Sequence, residues 1–202
     1  MNESNAQGFW PTIRARHPRL RAALVADARA AAAFRGERHQ FRSGPDAIVQ
    51  MARLAIVSDA FLGQALYRIK ARLQALGVPL LPRVAHRLAV ISAQISIGDP
   101  VVVAPGVYII HGQVVADGLV EIGPGVTIAP FVTIGLLAGE IQGATIERDV
   151  SIGTGAKILG AVRIGAGARI GANAVVLDDV PAGATVVGVP ARPVDANGAK
   201  VP

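Results

Sequence analysis

His111 is the one histidine in the C-terminal half of this 202-residue chain. It stands inside a repeat otherwise built from aliphatic and small residues. An imidazole titrates near neutrality, so it is the side chain best suited to exchange a proton at physiological pH. The other three histidines, His17, His39 and His86, fall in the N-terminal half. There is no cysteine, which excludes disulfides, thiolate metal sites and a thiol nucleophile. One histidine in the repeats cannot supply the three ligands of a histidine zinc site, so no metal is expected. No Walker or dinucleotide-binding glycine motif is present. Proton transfer at His111 is therefore the chemistry to weigh.

The elements around His111 follow from a period of six. Ile97, Val103, Ile109 and Val115 are six apart; after one extra residue come Ile122, Ile128 and Ile134; then Ile146, Ile152, Ile158, Ile164, Ile170 and Val176. A second set four places on is small or aliphatic: Val126, Val132, Val150, Ala156, Val162, Ala168 and Ala174. A fixed hexapeptide repeat is the mark of a parallel β-helix. Three six-residue sides make one turn, and turns stack at the ordinary strand spacing of ~4.8 Å. Pro124-Gly125 and Ala166-Gly167 suit the corners. Residues 135–145 break the pattern and are expected to loop outward. The repeat fades after Pro181.

The preceding residues read as helices. A run of strong helix formers extends from Leu20 to about Phe34. A second helix starts at Asp46 with Ile48, Met51, Leu54 and Ala55 on one face. A third, capped by Ser58 or Asp59, carries Phe61, Leu62, Ala65, Leu66, Ile69 and Leu73. A fourth spans about Pro82 to Ser92. The expected class is α+β: an α-helical domain over 1–94, a β-helix over 95–192 and a C-terminal tail over 193–202. Residues 1–95 hold 14 Lys+Arg against 5 Asp+Glu, and residues 96–202 hold 6 against 9. The basic half lacks interleaved aromatics and any recognition motif, so a solvated arginine surface is expected rather than a nucleic-acid site. No apolar run reaches the ~18 residues of a membrane span, and no signal-peptide pattern opens the chain. A cytoplasmic protein with no membrane partner is expected.

Several motifs resemble the serine O-acetyltransferases, within the hexapeptide-repeat acyltransferases. They are Leu66-Tyr67-Arg68-Ile69 before the repeats; Thr133-Ile134-Gly135; Gly153-Thr154-Gly155-Ala156-Lys157-Ile158-Leu159-Gly160; Gly171-Ala172-Asn173-Ala174-Val175-Val176-Leu177; and Thr185-Val186-Val187-Gly188-Val189-Pro190-Ala191-Arg192. The likeness covers about residues 60–192. It implies a left-handed β-helix, assembled as a homotrimer or a dimer of trimers, with sites between subunits. It also implies acetyl-CoA as co-substrate, no permanently bound cofactor, and His111 as general base for an acceptor hydroxyl that attacks the thioester.

Residue by residue, the resemblance places Gly135, Thr154, Gly155, Ala156 and Ala172 along the pantetheine track. Lys157 and Arg192 stand either against CoA phosphates or as solvated charges. Where the family has charged groups for its acceptor, this chain has Ile110, Gln142 and Gly143, and Ser96 takes the place of the family's acidic partner for the histidine. These departures point to an altered acceptor pocket. The repeat period offers Asp117, six residues after His111, and Asp99, twelve before it, as replacement acids reaching across a threefold interface. The alternative for each is a corner Asp bonded to its own backbone. The family's longer members dock the next enzyme of cysteine synthesis through a terminal isoleucine; the Val201-Pro202 ending makes a cysteine synthase complex doubtful.

Overall fold

The computed structural model describes residues 3–195, with side chains from Trp10 onward. Five helices come first: α1 (Glu3–Arg16), α2 (Leu20–Phe34), α3 (Gly44–Val57), α4 (Asp59–Ala75) and α5 (Leu81–Ala93). Ser58 Oγ accepts from the Phe61 N–H at 3.3 Å, which starts α4 at the predicted cap, and Ser43 Oγ accepts from the Asp46 N–H at 3.3 Å, which starts α3 two residues before the expected Asp46. The helix α1 has no counterpart in the sequence reading. Pro11 within it and a weak apolar stripe hide it from a periodicity argument.

The repeats build five coils. The first is β1 (Ile95–Ile97), β2 (Val102–Val103) and β3 (Tyr108–Ile109); the second β4 (Val114–Ala116), β5 (Leu119–Ile122) and β6 (Thr127–Ile128). The third is β7 (Thr133–Gly135), β8 (Gln142–Ile146) and β9 (Ser151–Ile152); the fourth β10 (Lys157–Leu159), β11 (Arg163–Ile164) and β12 (Arg169–Ile170). The last holds β13 (Val175–Val176) and β14 (Thr185–Val187), closed by β15 (Arg192–Val194). Strands stack in parallel as three faces: face I is β1-β4-β7-β10-β13, face II is β2-β5-β8-β11, and face III is β3-β6-β9-β12-β14 with β15 antiparallel at its end. Both apolar sets of the repeat fill the interior; Ile134, Ile158, Ile164, Ala156 and Ala174 are all 0% exposed.

Three details differ from the sequence reading. Ile97 pairs with Ala116, so Ala116 is the inward residue of β4 and Val115 points outward, 45% exposed. The extra residue therefore lies between Ile109 and Ala116, in the corner that carries His111. The outward loop is only residues 136–141. Gln142–Ile146 is a strand, and a bulge sets Gly143-Ala144 against Val120. The expected tail begins as β15 on face III, and residues 196–202 lie outside the described residues.

The helices close the N-terminal end of the coil. A first coil exposes a rim of carbonyls with no strand beneath them, and such groups must find partners. α4 supplies them. Gln64 Nε2 donates to Val107 O (3.0 Å), Tyr67 O–H to Val101 O (2.7 Å) and Lys70 Nζ to Ile97 O (2.6 Å). Arg68 donates to Val103 O, to Ala104 O (2.8 Å) and, through Nε, to Asp27 Oδ2 (2.9 Å). The buried residues of α4 thus include the polar row Gln64, Tyr67, Arg68 and Lys70 beside Ala60, Phe61 and Ala71. Ile69, expected inside, is 37% exposed. Among the described residues no helix is long and apolar enough to cross a membrane.

Candidate functional site: a histidine edge and a charged groove

The edge where face III turns into face I carries His111. Its backbone is left-handed (φ 60°), as are those of Gly112 (φ 91°) and Gln113 (φ 58°). Three successive residues in that region are uncommon, and for a non-glycine the conformation stores strain. The bend is tied down at α5: Gln113 N–H donates to Ala93 O at 2.9 Å, and a Cβ on Gly112 would stand 2.2 Å from that same oxygen. The His111 side chain is exposed and takes no hydrogen bond or ion pair among the described residues.

Later corners stack on this edge. Phe131 N–H donates to Gln113 O (2.8 Å), Gly155 N–H to Pro130 O (2.9 Å) and Asn173 N–H to Thr154 O (2.8 Å). Thr154, Gly155 and Ala172 therefore lie along one line with His111, and the left-handed residues Phe131 and Asn173 join them. Lys157 borders the line, its Nζ on Phe131 O at 2.7 Å. Ala156 is fully buried, so only its backbone can serve a ligand. Gly135 lies at the opposite end of face I, paired with Leu159. Arg192 is bonded to Asp178 at 3.0 Å on β15. Of the altered acceptor positions, Ile110 adjoins His111. Gln142 and Gly143 stand on face II, where Gly143 is buried against Val120; one chain does not bring them to His111.

Asp99 and Asp117 occupy the edge between faces I and II, across face I from His111. Register explains this: Ile97 lies over Ala116, so the residues after them share a corner. Asp99 Oδ1 accepts from Lys70 Nζ at 2.9 Å, and Asp117 Oδ1 accepts from the Gly118 N–H at 2.8 Å. Within one chain neither acid orients the histidine; one holds a helix lysine and the other its own turn. A groove of about 700 Å³ runs between α5 and face I. Arg83, His86 and Arg87 line its helix wall; Ser96, Asp99 and Asp117 line its coil wall. Burial pulls the His86 imidazole below its ordinary value, and the Lys70 charge adds to that. Burial also lowers the Lys70 ammonium, against the pull of Asp99.

The Bacterial transferase hexapeptide (six repeats) family model matches residues 143–178. The serine acetyltransferase of Bacillus licheniformis is 49% identical over 98 residues, 46% of this chain and 45% of the relative. That of Helicobacter pylori is 39% identical over 130 residues, 62% of this chain and 75% of the relative. Among solved structures, the soybean serine acetyltransferase apoenzyme superposes with TM-score 0.72 at 32% identity, covering 87% of this chain and 69% of that one. The Neisseria gonorrhoeae serine acetyltransferase in complex with serine gives TM-score 0.71 at 28% identity, covering 86% and 68%. The chain belongs to the serine acetyltransferase family. Its coil is the left-handed parallel β-helix of that family, set on a helical region. It spans less than half the length of the Bacillus relative.

For this family member, the sequence reading missed the groove wall of Arg83, His86 and Arg87. Arg83 and Arg87 sit one helical turn apart, a visible signal of a common face. Which side of α5 meets the coil is a tertiary fact that no period reports. The polar row of α4 was likewise legible only as an oddity: Gln64, Tyr67, Arg68 and Lys70 interrupt an otherwise apolar helix.

Proposed function

We propose that this chain is an acetyl-CoA-dependent O-acetyltransferase. His111 takes the proton of an acceptor hydroxyl as its oxygen attacks the thioester carbonyl. The tetrahedral intermediate then collapses: the carbon–sulfur bond breaks, the departing thiolate takes the proton from the imidazolium, and acetyl ester and CoA leave. One observation carries this reading. A strained, exposed histidine heads the same edge on which Thr154, Gly155 and Ala172 stack, and these are the positions the family resemblance assigns to the pantetheine arm. Such an edge offers small side chains and backbone groups along which a long thin ligand can lie. Lys157 borders it and can meet a phosphate. Arg192 serves there only by giving up Asp178.

The acceptor is a small hydroxyl compound, with L-serine as the first reading. A less charged acceptor is the second. Ile110 favours it, because this half-buried aliphatic is the neighbour of the base. The site is completed by a neighbouring copy in a trimer, since within one chain His111 has no acidic partner. CoA release, measured with L-serine, homoserine, amino sugars and simple alcohols, tests the proposal. His111→Ala should lower turnover by about 10²–10⁴-fold while leaving the fold and CoA binding intact. Equal activity in that variant, or no release with any acceptor, would overturn it in favour of a non-catalytic scaffold.

A further inference from the structure

A second cavity, of about 820 Å³, opens between the end of α1, the α1–α2 turn and α4. Four arginines line it, Arg14, Arg19, Arg68 and Arg72, together with His17, and no carboxylate does. Arg68 forms the floor, 3% exposed, and its charge is answered by Asp27 behind it. Arg14, Arg19 and Arg72 come from three different segments and have no hydrogen bond or ion pair among the described residues. Four other arginines of this half have carboxylate partners, Arg16 with Glu121, Arg35 and Arg53 with Glu37, and Arg38 with Asp46; Arg21, Arg29, Arg42, Arg83 and Arg87 have no ion pair among the described residues either, but none of them lines this cavity. Like charges gathered without a counter-ion repel one another, and a concave wall strengthens the field they share. His17 adds a second anomaly: its Nδ1 is buried with no hydrogen-bond partner. An unpaired buried polar atom is uncommon in a folded chain.

We propose that this cavity binds a small polyanion bearing phosphate groups. Guanidinium forks match phosphate oxygens two at a time, and three free forks around one cavity suit two or more negative charges. An anion between them would relieve the repulsion. Beside this cavity His17 is held neutral. Burial, and then the charges of Arg68 and Lys70, lower its pKa to about 4, against a smaller opposing pull from Asp99. A bound anion offsets the Arg68 and Lys70 charges, so binding should raise the proton affinity of the ring. The site is separate from the His111 edge and does not depend on the acetyl-transfer reading.

Calorimetric titration of the full chain with inorganic pyrophosphate, and with orthophosphate in parallel, tests this at fixed ionic strength. Pyrophosphate should bind saturably at one site per chain and more tightly than orthophosphate. The double variant Arg14→Ala with Arg72→Ala should weaken it at least tenfold. Both arginines are exposed, so the variant should keep the wild-type circular dichroism spectrum. The measured enthalpy should also depend on the ionisation enthalpy of the buffer near pH 6, and that dependence should vanish in His17→Asn. Two results would overturn the proposal. One is pyrophosphate affinity unchanged in the arginine variant but lost in Lys157→Ala with Arg192→Ala, which would assign the anion to the CoA track. The other is affinity that falls equally for any two exposed arginines, such as Arg148 and Arg169, which would mean diffuse counter-ion attraction.

Discussion

The two edges that border face I come from the same repeat and carry opposite chemistry. The His111 edge is uncharged where the histidine stands: Ile110 precedes it, Gly112 and Gln113 follow, and its bend rests on the backbone of α5. The Asp99–Asp117 edge is charged and clamped, one carboxylate by a lysine with 2% exposure and the other by its own turn. Equal phase in a six-residue repeat therefore means equal shape, not equal place. Residues six apart sit on successive edges, and residues about eighteen apart share one. An exposed base needs a partner from outside its own chain. Clamped acids have already used their strongest interactions inside it. The contrast leaves one edge open to a partner and gives the other to attachment of the helical layer.

Two glycines test that division most sharply, because both have nearly the same backbone. Gly112 (φ 91°) and Gly118 (φ 87°) each leave only 2.2 Å between an added Cβ and a neighbour. The neighbour of Gly112 is the carbonyl oxygen of Ala93, fixed at the end of α5. That of Gly118 is Leu136 Cδ2, the end of a side chain in a loop. A methyl at Gly118 can push the leucine aside; a methyl at Gly112 must move the histidine bend. Gly112→Ala should cost about 3 kcal/mol of stability and lower turnover about a hundredfold, as an ångström of misplacement does. Gly118→Ala should cost about 1 kcal/mol and leave turnover within threefold. Thermal melts and CoA release measure both. Equal effects on turnover would remove the distinction between the edges.

Lys70→Met probes the clamped edge. The change removes the donor to Ile97 O and the partner of Asp99 while preserving volume, so it should cost about 2 kcal/mol with turnover little changed. The pH dependence follows. Burial raises the Asp99 carboxyl, but the Lys70 bond and charge, with Gln74 and His86, together outweigh it, and the folded value lies below the ordinary one. Stability from this pair is thus present above about pH 4, the unfolded value, and is lost as pH falls through the folded value. Melts of the wild type should steepen in that acid range, and Lys70→Met should flatten them. An unchanged acid limb would show that Asp99 draws nothing from the lysine.

The fold was largely legible because a solenoid writes its geometry directly into the chain. Most inward aliphatics lie six residues from the last, and Ser58 announces the helix it caps. What period cannot report is where an extra residue settles. Val115 and Ala116 are both apolar, so the inserted residue could be counted after them, whereas the strands place it in the His111 corner. The glycines of residues 135–145 suggested one long loop, yet Gln142–Ile146 returns to the ladder because Ala144 and Ile146 complete the interior. On α4 the apolar residues looked like the buried face. Phe61 is indeed buried, but the open rim of the first coil demands donors, so a polar row is buried beside it and Ile69 turns outward. At the site, His111 and the small residues of its edge were legible through resemblance and spacing. The arginine wall of the groove and the arginine-lined cavity were not, since both are made by helices meeting across long separations.

The smallest expected effect belongs to Asp117→Asn, and it bears most directly on the missing partner of His111. Asparagine keeps an oxygen that accepts from the Gly118 N–H, so the turn survives and only the charge is lost. If the acid serves only its turn, turnover should stay within threefold and stability within about 0.5 kcal/mol. A second outcome is well defined. Sites rotated by a third of a turn can meet across a threefold axis, so Asp117 of one copy could face His111 of another. Removing a carboxylate that orients a catalytic imidazole costs orders of magnitude in rate rather than a factor of three. A loss approaching that of His111→Ala, with an unchanged melt, would move Asp117 from the clamped edge to the reacting one. The two edges would then be halves of a single site shared between copies.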